Sequence, residues 1–257
     1  MLYYKQQGKG PSIVFIHGYL ENGNMWEKFA EELSEDYQSI IMDLPGHGKS
    51  KSYSDTHSMD FMAEKVNEIL DELNISEALF IGHSMGGYVV LAMADLFPEK
   101  VKGFILLNSS SLSDTEEKKE DRLRAVDLAQ RNLPTLIKMS VPLLFQESKL
   151  HLLKAERDFV KEMAMTTSIE GVQAALRGMS IRKDRTFILN EFDGEIGIVL
   201  GKFDRTIDPE PFKKVIPNRE NIEILELETA HMSYLEDEIP TLDFIKDFSS
   251  KVFIQKN

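Results

Sequence analysis

Cysteine is absent from the 257 residues, which excludes disulfides, thiolate metal sites and a cysteine nucleophile. No apolar run approaches the roughly 18 to 20 residues needed to cross a bilayer as a helix, so no membrane span is expected. The first residues, "MLYYKQQGKGPSIVF", lack the basic stretch, apolar run and small-residue cleavage site of a secretory signal. Together these absences predict a cytoplasmic protein. Positive charge is also scarce: 30 Lys and Arg stand against 43 Asp and Glu, a formal charge of −13. A field of that sign repels phosphate backbones and anionic membrane surfaces, so nucleic acid is not an expected partner. The six histidines and the carboxylates do not fall at metal-ligand spacings, and neither metal nor cofactor is expected. "GHGKS", Gly46 to Ser50, ends like a phosphate-binding loop, but that pattern needs glycine at position 43, where this chain has aspartate. Pro45 also removes a backbone donor from such a cradle.

What the chain does have is alternation. Ser12–Ile16, Ser39–Met42, Ala78–Ile81, Phe104–Leu107, Ile196–Leu200 and Ile222–Leu227 are short, uninterrupted apolar or partly β-branched runs that suit strands of a parallel sheet buried on both faces. Amphipathic stretches lie between them. In "SMDFMAEKVNEILDELN", Met62, Val66, Ile69 and Leu73 recur every three or four residues. This pattern predicts an α/β fold, a mostly parallel sheet with helices on both faces. The alternation lapses between about Ser111 and Arg185, where the chain is helical in character and shows no strand pattern. The expected organisation is therefore a core of residues 1–111 and 186–257 interrupted by a helical insertion, 112–185.

One turn carries chemistry. Gly82-His83-Ser84-Met85-Gly86, followed by Gly87, is a G-x-S-x-G pattern placed where an apolar strand meets a helix. Bending a strand into a helix at one residue strains that residue and requires small neighbours. The turn lifts the Ser84 hydroxyl clear of the sheet, near a helix N-terminus. A serine that merely caps the helix is the plainer alternative. A hydroxyl needs a base to become nucleophilic. Among the histidines, His83 sits on the turn with its ring directed away, His17 and His47 lie in loops with other roles, His57 precedes a helix, and His151 lies in the insertion. His231 follows the last strand-like run, from which a loop can swing its ring across the sheet edge. The base needs an orienting carboxylate. Asp204 emerges first after the run "IVLG", whereas Asp208 precedes Pro209 and reads as a helix cap. Asn108, at the end of the preceding strand, cannot supply the charge. Gly18 in "FIHGYL" lets the backbone pass close to the serine, so the N–H groups of Tyr19 and Met85 are the candidate donors to an oxyanion.

The order Ser84, Asp204, His231, with "HGYL" after an early strand, resembles the α/β-hydrolase family, and the resemblance covers nearly the whole chain. "MDLPGHGKS" resembles that family's loop after its fourth strand. "LLNSSSL" resembles the entry to its cap, and "MSIRKD" the return. The resemblance implies an eight-strand-type sheet whose first strand is absent or very short here, with residues 112–185 as a helical cap over the serine. It also implies a serine hydrolase acting through an acyl-enzyme on an ester or related acyl compound. The same fold hosts C–C bond hydrolases, lyases, acyltransferases, proline-releasing aminopeptidases and slow-turnover small-molecule receptors. The Leu-, Met- and Phe-rich insertion suits a small-to-medium apolar acyl substrate, although those residues equally serve as the insertion's own core.

Overall fold

The apolar runs assemble into one sheet. The computed structural model describes residues 1–253. It holds the strands β1 (Tyr4–Gln7), β2 (Ser12–Ile16), β3 (Gln38–Met42), β4 (Ala78–His83), β5 (Val101–Leu107), β6 (Glu195–Gly201) and β7 (Ile222–Leu227). Their order is β1-β3-β2-β4-β5-β6-β7, and every neighbouring pair is parallel except β1 with β3. The sheet thus has seven strands among the described residues, in line with an eight-strand-type sheet that lacks its first strand. Six grow from the six apolar runs. The seventh, β1, reads "YKQQ" and gives no apolar signal, because an edge strand paired on one side only needs no buried faces.

Parallel neighbours require crossovers, and helices supply them on both faces. The first five strands are linked by α1 (Glu27–Glu32), α2 (Met59–Glu72) and α3 (Met85–Leu96). The Ser58 side chain accepts the N–H of Phe61 and starts α2, which buries Met62, Val66 and Ile69 of the expected stripe. Ten of the twelve residues of α3 are buried, so this helix is enclosed rather than half-wetted.

Between β5 and β6 the chain forms α4 (Glu116–Ser140), α5 (Lys154–Ala164), α6 (Ile169–Ser180) and α7 (Thr186–Glu191), with no strand among the described residues there. α4 kinks at Asn132, whose φ of −163° and ψ of 83° leave the helical region two residues before Pro134. The Asn132 side chain accepts the N–H of Thr135 and restarts the helix. A buried Asp114 pairs with Arg122 and Arg182, and Arg182 also donates to the Leu112 carbonyl and lies 4.1 Å above the Tyr88 ring. This cluster pins the start and end of the stretch onto α3. After β6 come α8 (Pro209–Lys213), and after β7, α9 (Ser233–Glu236) and α10 (Glu238–Phe253). No helix among the described residues is long and apolar enough to cross a membrane.

Candidate active site

Ser84 stands between β4 and α3 with φ 51° and ψ −116°, a conformation that costs energy for any residue with a Cβ. The turn is possible only because its flanks are bare. A Cβ on Gly86 would lie 2.3 Å from the Ile16 carbonyl oxygen, and one on Gly82 would lie 2.5 Å from that of Gly86. Two hydrogen bonds anchor it to the next strand: Ser84 N–H donates to the Leu107 carbonyl at 3.0 Å, and the Ser109 hydroxyl donates to the Ser84 carbonyl at 2.7 Å.

His231 arrives on the loop after β7. Its Nε2 lies 2.8 Å from Ser84 Oγ, and its Nδ1 lies 2.7 Å from Asp204 Oδ2. A carboxylate only accepts, so Nδ1 carries the proton toward Asp204 and Nε2 is left to accept from the Ser84 hydroxyl. Asp204 Oδ1 is filled by the N–H groups of Thr206 and Ile207, at 2.8 and 2.9 Å, leaving Oδ2 for the ring. All three side chains are enclosed, with exposures of 9% for Ser84, 5% for Asp204 and 3% for His231. Such a site has little water to compete for its hydrogen bonds. Asp208 is elsewhere: it caps α8, accepting the N–H of Glu210 at 3.0 Å with Pro209 in the first turn. Asn108 takes a left-handed φ of 45°, and its side-chain amide donates to the Ala230 carbonyl at 3.0 Å, bracing the residue before His231.

The turn after β2 runs alongside the serine, since a Cβ on Gly18 would come within 3.1 Å of Ser84 Cβ. The N–H groups of Tyr19 and Met85 have no protein acceptor among the described residues. For Met85 this follows from its place at the first position of α3. The helical stretch between β5 and β6 reaches the same spot, because His231 N–H donates to the Leu144 carbonyl at 2.9 Å.

The other buried histidines hold loops. His17 Nδ1 donates to the Gly18 carbonyl at 2.7 Å and its Nε2 accepts the Leu44 N–H at 2.8 Å, tying the turns after β2 and β3. Burial pushes its pKa down. His47 donates from Nδ1 to the Pro45 carbonyl at 3.1 Å, and burial, with His17 nearby, pushes its pKa down to about 3. One association gave no signal in the sequence, that of His83 on the Ser84 turn with Glu21 and Tyr234. His83 Nδ1 lies 2.7 Å from Glu21 Oε2, and Tyr234 donates its hydroxyl to Glu21 Oε1 at 3.0 Å. Positions 21, 83 and 234 share no spacing or motif, and only the folded sheet brings them together.

A family model described as the alpha/beta hydrolase fold matches residues 11–237. A thermophilic esterase from Thermogutta terrifontis superposes with a TM-score of 0.92 at 26% identity, covering 98% of this chain and 93% of that one. Among curated proteins, the dihydrolipoyllysine-residue acetyltransferase component of the acetoin cleaving system of Pseudomonas putida is 32% identical over 173 residues, 67% of this chain and 44% of that protein. A putative non-heme haloperoxidase of Mycobacterium phage D29 is 34% identical over 105 residues, 40% of this chain and 38% of that protein. The chain therefore spans less than half the length of these curated relatives.

Proposed function

The chain belongs to the alpha/beta hydrolase fold family, and from that premise we propose that it is a serine hydrolase cleaving a carboxylic ester or related acyl compound. The observation that carries this reading is the continuous relay Ser84 Oγ, His231 Nε2, His231 Nδ1, Asp204 Oδ2, with links of 2.8 and 2.7 Å. Ser84 attacks the acyl carbon as His231 Nε2 takes its proton, and Asp204 stabilises the imidazolium. The tetrahedral oxygen accepts from the N–H groups of Tyr19 and Met85. Collapse breaks the bond to the leaving alkoxide, which takes the proton from His231. Water then attacks the acyl-enzyme, giving its proton to His231, and release of the acid restores the Ser84 hydroxyl.

In this reading residues 112–185 are the cap, and the hydrogen bond from His231 N–H to Leu144 supports their placement over the serine. The neighbouring "VPLLF" turn, with Val141 and Phe145 buried, supports a small-to-medium apolar acyl group in a small-molecule substrate. The test is a p-nitrophenyl ester series from acetate to decanoate, run on the wild type and Ser84→Ala together, with fluorophosphonate labelling. The expected result is turnover and labelling that vanish in the variant, with an optimum at short to medium chain length. A flat series overturns the apolar pocket. Absence of both turnover and label overturns the hydrolase.

A further inference from the structure

Behind Ser84 lies a second pair of titratable groups that the proposed reaction does not use. His83 is 1% exposed and Glu21 2%. His83 Nδ1 meets Glu21 Oε2 at 2.7 Å, and its Nε2 meets the carbonyl oxygen of His231 at 3.0 Å. That carbonyl only accepts, so Nε2 carries a proton. One further proton lies between Nδ1 and the carboxylate. Gly18 N–H, at 2.7 Å from Oε2, and the Tyr234 hydroxyl, at 3.0 Å from Oε1, both donate to Glu21. Converging donors favour the ionised carboxylate, which places the shared proton on Nδ1 and makes His83 an imidazolium.

The groups around the pair agree. Burial works against charge on His83, but the Glu21 carboxylate outweighs it, with Asp204 adding to the effect, and raises the pKa above the ordinary histidine value. Burial likewise opposes charge on Glu21, but the charge and hydrogen bond of His83 outweigh it and lower its pKa. Tyr234 stays protonated, its pKa raised by burial and by Glu21. The ring of His231 lies 5.0 Å from that of His83, centre to centre.

This pair touches three of the backbone segments that the proposed chemistry needs, the turn after β2, the Ser84 turn and the His231 loop, and leaves the Asp204 loop to its own contacts. Glu21 accepts the Gly18 N–H and so fixes the His17–Gly18 peptide, the one that precedes the peptide carrying the Tyr19 N–H. It does so in a turn where Leu20 is held at φ 62°, a left-handed strain that persists only where surroundings over-determine it. His83 is the residue before the nucleophile and grips the carbonyl of the base. Tyr234, three residues past His231, closes the circuit. We infer that the Glu21–His83 ion pair is a positioning device that holds the oxyanion turn, the nucleophile turn and the His231 loop in register. The inference rests on the serine hydrolase reading given above. Losing it weakens the transition state more than substrate binding, because the held N–H groups matter most when the oxygen becomes an anion.

Two measurements on the full chain decide it. Nitrogen-15 NMR of the imidazoles near pH 7.5 is expected to show both His83 nitrogens protonated in the wild type and only one in Glu21→Gln. On the best p-nitrophenyl ester, Glu21→Gln is expected to lower kcat about 10- to 100-fold, below or at the lower end of losing one oxyanion donor outright, with KM within about 3-fold. A singly protonated His83 in the wild type overturns the inference, as does full kcat in Glu21→Gln or a loss confined to KM. If Glu21→Gln fails to fold, the wild-type spectrum still decides. If no ester is turned over and Ser84 is not labelled, the hydrolase reading falls, while the spectrum judges the ion pair separately.

Discussion

Asp204 and Asp208 stand four residues apart and meet different atoms. Asp204 spends one oxygen on two backbone N–H groups and offers the other to His231, whereas Asp208 spends its contact on the first turn of α8. Asparagine at 204 would present an amide to His231 Nδ1 and favour the wrong tautomer. Asp204→Asn is therefore expected to lower kcat on an ester by about 10,000-fold. Asparagine caps helices as well as aspartate does, so Asp208→Asn is expected to leave kcat and stability nearly unchanged. Equal losses in the two variants would show that the orienting carboxylate is misassigned. At this scale most of the candidate site was legible, because each of Ser84, Asp204 and His231 emerges just after a strand-like run. Glu21 was not legible, since an acid three residues past a glycine turn carries no signal until its partners arrive from positions 83 and 234.

At the scale of elements, the helical stretch after β5 is seated by close backbone approach. Gly171, in the first turn of α6, faces Gly46 in the loop after β3, and a Cβ on Gly171 would lie 2.0 Å from the Gly46 carbonyl oxygen. Gly46 itself sits at φ 80°, where a side chain adds strain. Backbone cannot yield as the end of a flexible side chain can, so Gly171→Ala must lift α6 off the loop. The expected cost is about 1 to 3 kcal/mol. Thermal denaturation checks it, with Tm falling roughly 2 to 4 °C for each kcal/mol. An unchanged Tm would mean that the helical stretch between β5 and β6 is held mainly by the Asp114, Arg122 and Arg182 cluster. The strands were legible from apolar runs except β1, whose edge position needs no such run. The helical pattern "TEEKKEDRLRAVDLAQRN" ends at Asn132, where α4 kinks, but that a second helical piece continues past Pro134 depends on the Asn132 side chain recapping it.

Across the whole molecule, the buried histidines respond to acid in two opposite senses. His17, His47 and His57 are pushed down in pKa, first by burial, while His83 alone is raised. In the unfolded chain each would bind a proton near pH 6.5. The folded state refuses protons at the first three, so their contribution is full above that pH and is lost as pH falls. His83 works in the opposite sense: its contribution is full below about 6.5 and is lost as pH rises through its higher folded value. For His47, whose folded value is about 3, the loss at about pH 4.5 is of order 2 kcal/mol. Urea unfolding at pH 7.5 and 4.5 checks this, and His47→Gln is expected to shrink the difference by a similar amount. An undiminished difference would mean that His47 is not the group responsible.

The sequence alone determined the α/β class, six of the seven strands, the helical stretch between β5 and β6, and which serine, aspartate and histidine to compare. Those features are local. A strand buried on both faces must be apolar over consecutive residues, and a strand-to-helix bend needs small residues beside it. Only the tertiary structure decided that Glu21, His83 and Tyr234 form one buried circuit, that Asn108 braces the residue before His231, and which histidines stay neutral. These depend on β2, β4 and β7 delivering distant residues to one end of the sheet. Protonation depends on the burial and partners found there, and neither is written in the spacing of residues along a chain.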